Sequence, residues 1–477
     1  MPETRRPNIL LITADQMRCD CLGATGHPVV RTPHLDALAA RGVRFTNAYT
    51  TFPVCVPARL SILTGQYPHA HGTMGNRSMV PTSQPNIASL LRDAGYRTAA
   101  IGKMHFWPPY AEFGFEHMRL AEQDGPGWKV DDYHATYLAE RGMVDIWDYW
   151  DQHKPYRAQA PQEYWDSFGA RGSEIPEEHY HTTWIANETI DYIRRSSDRP
   201  FFIWTSFIKP HHPFDPPKPW DTLYDPASIP PLQDQALALA KPLMTNGGQR
   251  DPRDAYFDLR KLTDGAYRKV AAHYYGAISH IDHHVGRILQ ALEERGELER
   301  TLIIFTSDHG DYMGDYGLIL KSPGIPYDSL AKVPFIVAGP GCRRGETSDA
   351  LVSLVDILPT AAAHAGVEVP DFVQGADLSP LLRSSAASSP WREAVFCEAR
   401  GIKAVRTRTY KYLYNHSLQI EELYDVSADP GELRNLADEP RYAGVKREMR
   451  ERLLGWLIET EWERNRVEWD YRSLKAR

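Results

Sequence analysis

Asn8-Ile9-Leu10-Leu11-Ile12-Thr13-Ala14-Asp15-Gln16 is a short apolar run without polar alternation that ends in a carboxylate and an amide. A run of this kind reads as a strand buried on both faces that stops at the edge of a site. The same design recurs at residues 98–101 before Lys103, 201–206 before His211 and 302–306 before Asp308, and a further run occupies 333–337. Amphipathic stretches at 33–41, 87–94, 180–194 and 267–294 separate these runs. The alternation predicts an α/β fold, a large and mainly parallel sheet sandwiched by helices. In such sheets ligands gather beyond the carboxyl ends of the strands, so the polar residues that follow the runs are expected to share one site.

The chain has 477 residues, 42% hydrophobic and 24% charged, which gives room for one large domain and a smaller one. Its net charge of −8 offers no basic stripe, so no nucleic-acid partner is expected. The run at 8–13 is too short for a leader or a span, and no later stretch has 18 apolar residues in a row, so no membrane association is expected. Cys19, Cys21, Cys55, Cys342 and Cys397 are odd in number and scattered, which argues for a reducing, cytoplasmic setting. Cys19 and Cys21 lack a second pair, so zinc is not expected there.

Residues 106–175 and 213–262 have no clean period and read as long insertions. Short strands at 394–398, 402–407, 410–414 and 422–424, then a helix at 442–459, predict a small antiparallel sheet with a packed helix. That helix is expected to bury Val445, Met449, Leu453, Leu454 and Leu457 on one face. The expected division is a catalytic α/β domain over 1–385 and a small C-terminal α+β subdomain over 386–477.

Asp15 and Gln16 follow one strand, and Asp308 and His309 follow another. Such donors suit a divalent cation, whereas a strand-end Asp also caps turns; the residues alone leave both readings open. Cys55-Val56-Pro57-Ala58-Arg59, with its tail Thr64-Gly65-Gln66-Tyr67-Pro68-His69-Ala70-His71-Gly72, resembles the maturation signature of type I sulfatases of the alkaline-phosphatase superfamily. Gly102-Lys103-Met104-His105, Pro210-His211-His212-Pro213-Phe214 and Tyr316-Gly317-Leu318-Ile319-Leu320-Lys321 resemble further segments of that family. Glu422-Leu423-Tyr424-Asp425 with Asp429-Pro430-Gly431-Glu432 is similar to its small domain.

The resemblance implies a sulfuric ester hydrolase, arylsulfatase-like, acting on a small-molecule sulfate ester. It implies that a formylglycine-generating maturation enzyme oxidises Cys55 to an aldehyde, whose hydrate is the nucleophile. It also implies one divalent cation, calcium first, with Mg²⁺ or Mn²⁺ as alternatives, held by Asp15, Gln16, Cys55, Asp308 and His309. Gln16 stands where many members carry a second Asp, which weakens the hold on the cation. By the same resemblance, Arg59 stabilises the formylglycine, Lys103 contacts it and the sulfate, and His105 stabilises the aldehyde hydrate. Lys321 is a second sulfate ligand, and His211 lies on the leaving-group side. Cations aimed at the sulfate oxygens stabilise the transition state, and collapse of the geminal diol expels sulfate, a route closed to an ordinary Ser or Cys ester. A homo-oligomer is compatible with this reading.

The alternatives are a phosphonate monoester or phosphodiester hydrolase on the same scaffold, and a binding protein whose Cys55 stays a thiol. Lys103 and His105 count against the first, whose members often carry uncharged groups there. A shorter resemblance, Gly-Lys-Met-His-Phe with the Asp-Gln pair, is to choline sulfatases; an aryl or alkyl sulfate ester is the expected substrate. His69 and His71 read as supporting residues and Asn76 as a pocket lining. His280, His283 and His284 share a helix face beside Asp282 in a pattern that suits a metal, yet they are read as packing. Phe106, Trp107, Tyr110, Trp128, Tyr133, Trp147, Tyr149 and Trp150 are read mostly as packing, with stacking on a ring or a quaternary ammonium as the alternative.

Overall fold

Alternation is missing from the first strand because both its faces are covered: all eight residues of Asn8–Asp15 are buried. The computed structural model describes residues 6–76, 84–123, 132–152, 154–195, 197–232, 256–384 and 391–461. The strands of the large sheet are β1 Asn8–Asp15, β2 Gly42–Tyr49, β3 Arg97–Gly102, β4 His117–Leu120, β5 Phe201–Pro210, β6 Thr301–Ser307, β7 Phe335–Ala338 and β8 Glu346–Ser353. They lie in the order β4-β3-β5-β1-β6-β7-β2-β8. β1 sits at the centre, parallel to β5 and β6, and only β7 among these eight runs against its neighbours. The mainly parallel sheet expected from the sequence is therefore present.

The pleat sorts β1 into two cores. Leu10 and Ile12 pack with Leu35, Ile185, Ile278 and Val285 on one side. Ile9 and Leu11 pack with Leu60, Ile87, Leu91 and Leu358 on the other. Helices Pro33–Ala40, His181–Arg194 and Asp264–Glu294 thus cover one face, and Cys55–Thr64, Ile87–Asp93 and Ile357–Ala365 the other.

The stretch 106–175 is more regular than its sequence, with β4 and the short helices Tyr133–Ala139, Ile146–Gln152 and Gln162–Asp166. Most of its aromatic residues pack as expected: Phe106 lies on Phe113 and Trp204, and Trp147 on Tyr164, whereas Trp107 is exposed. Trp128 lies outside the described residues, as does the expected boundary between 385 and 386.

A second sheet of β9 Val395–Ala399, β10 Ile402–Arg406, β11 Tyr410–Asn415 and β12 Ile420–Asp425 is fully antiparallel. Helix Ala443–Glu459 covers it with a face different from the expected one. Leu454 is 58% exposed, while Met449, Leu453 and Trp456 are buried. Trp456 stacks flat on Phe396 with ring centroids 4.5 Å apart, and this large contact area sets the rotation of the helix. Buried polar bonds tie the small sheet to the large one. Lys411 Nζ lies 2.8 Å from both Asp328 and Glu432, and Glu398 accepts from His69 at 2.7 Å. Among the described residues no helix is long and apolar enough to cross a membrane, and all five cysteines are free.

Candidate active site

Cys55 is the first residue of helix Cys55–Thr64, all ten of whose side chains are buried. Pro57 falls in the first turn, where a backbone N–H has no partner within the helix, so the ring costs nothing there. Arg59 follows one turn later on the same face as Cys55. The spacing of the signature is therefore that of a helix start that aims a thiol and a guanidinium at one point. Asn76, which is exposed, accepts the Val56 N–H at 3.1 Å and so finishes the helix start.

That point lies beyond the ends of β1, β3, β5 and β6. Cys55 Sγ is 3.6 Å from Asp15 Oδ1 and 3.2 Å from His309 Nε2. Lys321 Nζ reaches it at 3.3 Å, and His105, from the β3 side, favours its ionised form. Arg59 donates to Asp308 at 2.9 Å and lies 3.4 Å from Asp15; it also donates to Ser206 Oγ at 2.7 Å and to the Lys103 carbonyl. Lys103 Nζ is 2.7 Å from Asp15 Oδ2, out of line for a hydrogen bond. Gly102 precedes it at φ +93°, and a Cβ there would lie 2.1 Å from the Ser206 carbonyl, so only glycine allows this approach of β3 to β5. Gln16, His105 and Leu320 also hold positive φ without being glycine, which places backbone strain at three corners of the site.

The electrostatics follow from crowding. Burial works to raise the Asp15 carboxyl, but the charges of Lys103, Arg59 and Lys321 hold the group well below the usual carboxylate range. Burial and the Asp15 charge push Asp308 up, against Arg59. Burial and Asp15 would raise the Cys55 thiol, yet Lys321, His309 and His105 hold it well below the ordinary thiol range. Burial, with Lys321 and Lys103, lowers His211, whose Nδ1 donates to the His212 carbonyl at 2.6 Å. Three fixed cations, Arg59, Lys103 and Lys321, surround two carboxylates, so the site favours anions even before any metal is counted.

The donor set fits a hard divalent cation. Asp15, Cys55, Asp308 and His309 offer ligand atoms within 4.8 Å of one another, all buried. The separations Cys55–Asp15, Cys55–His309, His309–Asp15 and His309–Asp308 run from 3.2 to 3.9 Å. Adjacent octahedral ligands on calcium, at about 2.4 Å each, stand about 3.4 Å apart. His309 donates Nδ1–H to the Gly310 carbonyl at 2.8 Å, which turns Nε2 inward as the nitrogen that would bind a cation once its proton leaves. A cation between Asp15 and Asp308 would also relieve their mutual repulsion. Gln16 is oriented by Asp311: a carboxylate only accepts, so Gln16 Nε2 faces Asp311 Oδ2 at 2.6 Å and Oε1 faces Lys321 Nζ at 2.9 Å.

All ten residues singled out in the sequence lie around this point. Sequence reasoning passed over Asp311, Ser206 and Gln123, whose Oε1 lies 3.2 Å from Lys103 Nζ. It also passed over Asp151, which joins His211 and His212 in a buried group. None of these follows a strand in a motif, and only Asp311, within the Asp-His-Gly-Asp run, left a trace. His69 and His71 bond Glu398 and Ser61, away from the thiol.

The chain matches the sulfatase family model over residues 7–367 and the model described as N-sulphoglucosamine sulphohydrolase, C-terminal, over 314–458. It is 35% identical over 465 residues to an arylsulfatase of Clostridium perfringens, covering 92% of this chain and 91% of that one. It is 32% identical to a choline-sulfatase of Rhizobium meliloti, covering 92% and 84%. The solved phosphonate monoester hydrolase of Agrobacterium radiobacter superposes with a TM-score of 0.79 at 27% identity, covering 95% of this chain and 96% of that one. The protein thus belongs to the sulfatase family of the alkaline-phosphatase superfamily and is a hydrolase of that family.

Proposed function

We propose that this chain hydrolyses the sulfate ester of a small alcohol or phenol, with residue 55 matured from cysteine to formylglycine by a partner enzyme. The observation that supports it most is the enclosure of Cys55 Sγ by Lys321 at 3.3 Å, His309 at 3.2 Å and Asp15 at 3.6 Å. In the structure this Sγ stands where the oxygens of the hydrated aldehyde would be. As formylglycine, residue 55 would supply one hydroxyl to attack sulfur and a second whose collapse releases sulfate. Asp15, residue 55, Asp308 and His309, with Gln16 Oε1, would hold calcium, which supplies positive charge to the sulfate oxygens and acidifies the attacking hydroxyl.

The chain's own groups divide the remaining work. Lys103 and Lys321 clamp the sulfate oxygens, and their charge counts for more where water is excluded. Arg59 is fully buried, spends Nε and Nη1 on Asp308, Ser206 and the Lys103 carbonyl and keeps Nη2 near Asp15, so we assign it to holding the helix of residue 55 against the strand ends. His105 steadies residue 55 itself. His211, neutral in the free protein, keeps Nε2 as a lone pair, so Lys321 is the group able to donate a proton to the departing oxygen until a bound anion charges His211. We take 1–385 as the catalytic unit and 386–477 as its subdomain, and the free cysteines support a cytoplasmic setting.

The second reading, phosphonate monoester hydrolysis, draws on the Agrobacterium likeness. Matured protein assayed on 4-nitrophenyl sulfate and on a phenyl phosphonate ester separates the two. We expect the sulfate to be hydrolysed faster, and Lys103→Ala to lower its kcat/KM by about 100-fold. Preference for the phosphonate ester would transfer the assignment to the second reading.

A further inference from the structure

The long helix places His280 and His284 one turn apart, and the turn Glu177–His179 with helix His181–Arg194 brings Glu177 and Thr183 against them. Four atoms meet there: Glu177 Oε1, Thr183 Oγ1, His280 Nε2 and His284 Nε2. All six of their separations fall between 2.9 and 3.3 Å. They are the corners of a nearly regular tetrahedron whose centre lies about 1.9 Å from each, close to the ~2.0–2.1 Å bond of zinc to imidazole or carboxylate.

Hydrogen bonding alone does not account for the arrangement. The threonine hydroxyl and each imidazole Nε2 carry at most one hydrogen, and a carboxylate carries none, so at most three hydrogens serve six contacts. At least half the contacts then have no hydrogen of their own between the two atoms. His280 Nδ1 is buried without a hydrogen-bond partner among the described residues, so an ion on Nε2 would leave the Nδ1 hydrogen unsatisfied, a cost its bonds must exceed. The geometry points to a second metal site, for zinc or a similar borderline cation, formed by Glu177, Thr183, His280 and His284 and separate from the Cys55 cluster. Glu177, one-third exposed, is the entry for the ion.

The neighbouring residues have other duties. His283 packs at a tilt against Trp220, on which His280 stacks, and Asp282 accepts the His34 and Leu35 N–H groups at the start of helix Pro33–Ala40. Arg287 opposes the ion. It only donates, and its Nη1 lies 3.0 Å from His284 Nδ1, so in the metal-free chain that nitrogen holds a lone pair and Nε2 the hydrogen. Zinc must shift this hydrogen to Nδ1 and turn Arg287 aside, while Arg287 keeps its bond to Asn187 at 2.9 Å. The ion would pin helix His181–Arg194 to the long helix, whose Tyr274 hydroxyl donates to the Gln16 carbonyl at 2.7 Å.

The test uses the full chain with the first cluster removed, Asp15→Asn/Asp308→Asn, stripped by chelator and titrated with zinc while bound metal is counted. One equivalent is expected, and cobalt in its place should give the intense visible absorption of a four-coordinate ion. Adding His280→Asn/His284→Asn should weaken binding at least about 100-fold, and Arg287→Ala should tighten it about tenfold. If the double histidine variant does not fold, partly exposed Glu177→Gln is read in its place, with about tenfold loss expected. Absence of a stoichiometric ion in the Asp15/Asp308 variant, or affinity unchanged by the ligand substitutions, overturns the proposal. Neither result bears on the chemistry at Cys55.

Discussion

Replacing Asp311 by asparagine removes one charge but should also reverse the neighbouring amide of Gln16. Asp311 Oδ1 accepts the Met313 and Leu320 N–H groups at 2.7 and 2.9 Å, and Oδ2 accepts Gln16 Nε2 at 2.6 Å. In Asp311→Asn the single oxygen is claimed by the two backbone donors, so the new NH₂ faces Gln16. Gln16 must then turn its oxygen to that NH₂ and its own NH₂ to Lys321, which sets donor against donor where a 2.9 Å bond stood. A hydrogen bond to a charged group contributes about 1.5–3 kcal/mol, so kcat/KM on 4-nitrophenyl sulfate should fall by about 10- to 150-fold. The loop delivering Lys321 keeps its backbone bonds, so thermal unfolding should change little. Gln16→Glu added to Asp311→Asn restores an acceptor to both neighbours, and most of the activity should return. Activity within twofold of wild type in Asp311→Asn, or a double variant no better than the single, would refute the orienting role.

Two further outcomes concern stability. Trp456→Ala should destabilise the protein by about 3–5 kcal/mol in urea unfolding, whereas Leu454→Ala, at 58% exposure, should stay within about 0.5 kcal/mol. Burial would raise Glu398, but His69 and Lys403 outweigh it and hold the carboxyl below its usual range. Its contribution is therefore complete above the unfolded value of about 4.3 and is lost as pH falls through the lower folded value. Glu398→Gln should cost about 3–5 kcal/mol at pH 7, and its deficit against wild type should shrink between about pH 5 and pH 3. A deficit that does not change with pH would contradict the assignment.

The central strands were legible because burial on both faces removes alternation and leaves β1, β5 and β6 as plain apolar runs. β2 and β8 were not, because their burial mixes inward and partly exposed positions and their polar residues read as loop. The helix face at 443–459 was misread at Leu454: periodicity counts apolar residues equally, whereas the flat Trp456–Phe396 stack has the larger contact and fixes the rotation. In the site, residues at strand ends could be found from spacing. Asp311, Ser206 and Gln123 act through other side chains across long sequence separations, and no local pattern encodes such partners. The histidines of the long helix carried a visible metal pattern, but Glu177 and Thr183, which complete it, lie about a hundred residues upstream.

The nucleophile assignment is tested most directly on the peptide holding residue 55, cut from protein that hydrolyses 4-nitrophenyl sulfate and weighed by mass spectrometry. A peptide in which the thiol has given way to an aldehyde, trapped by a hydrazide in proportion to activity, is the predicted result. Full turnover by protein whose residue 55 is entirely unmodified cysteine would contradict it.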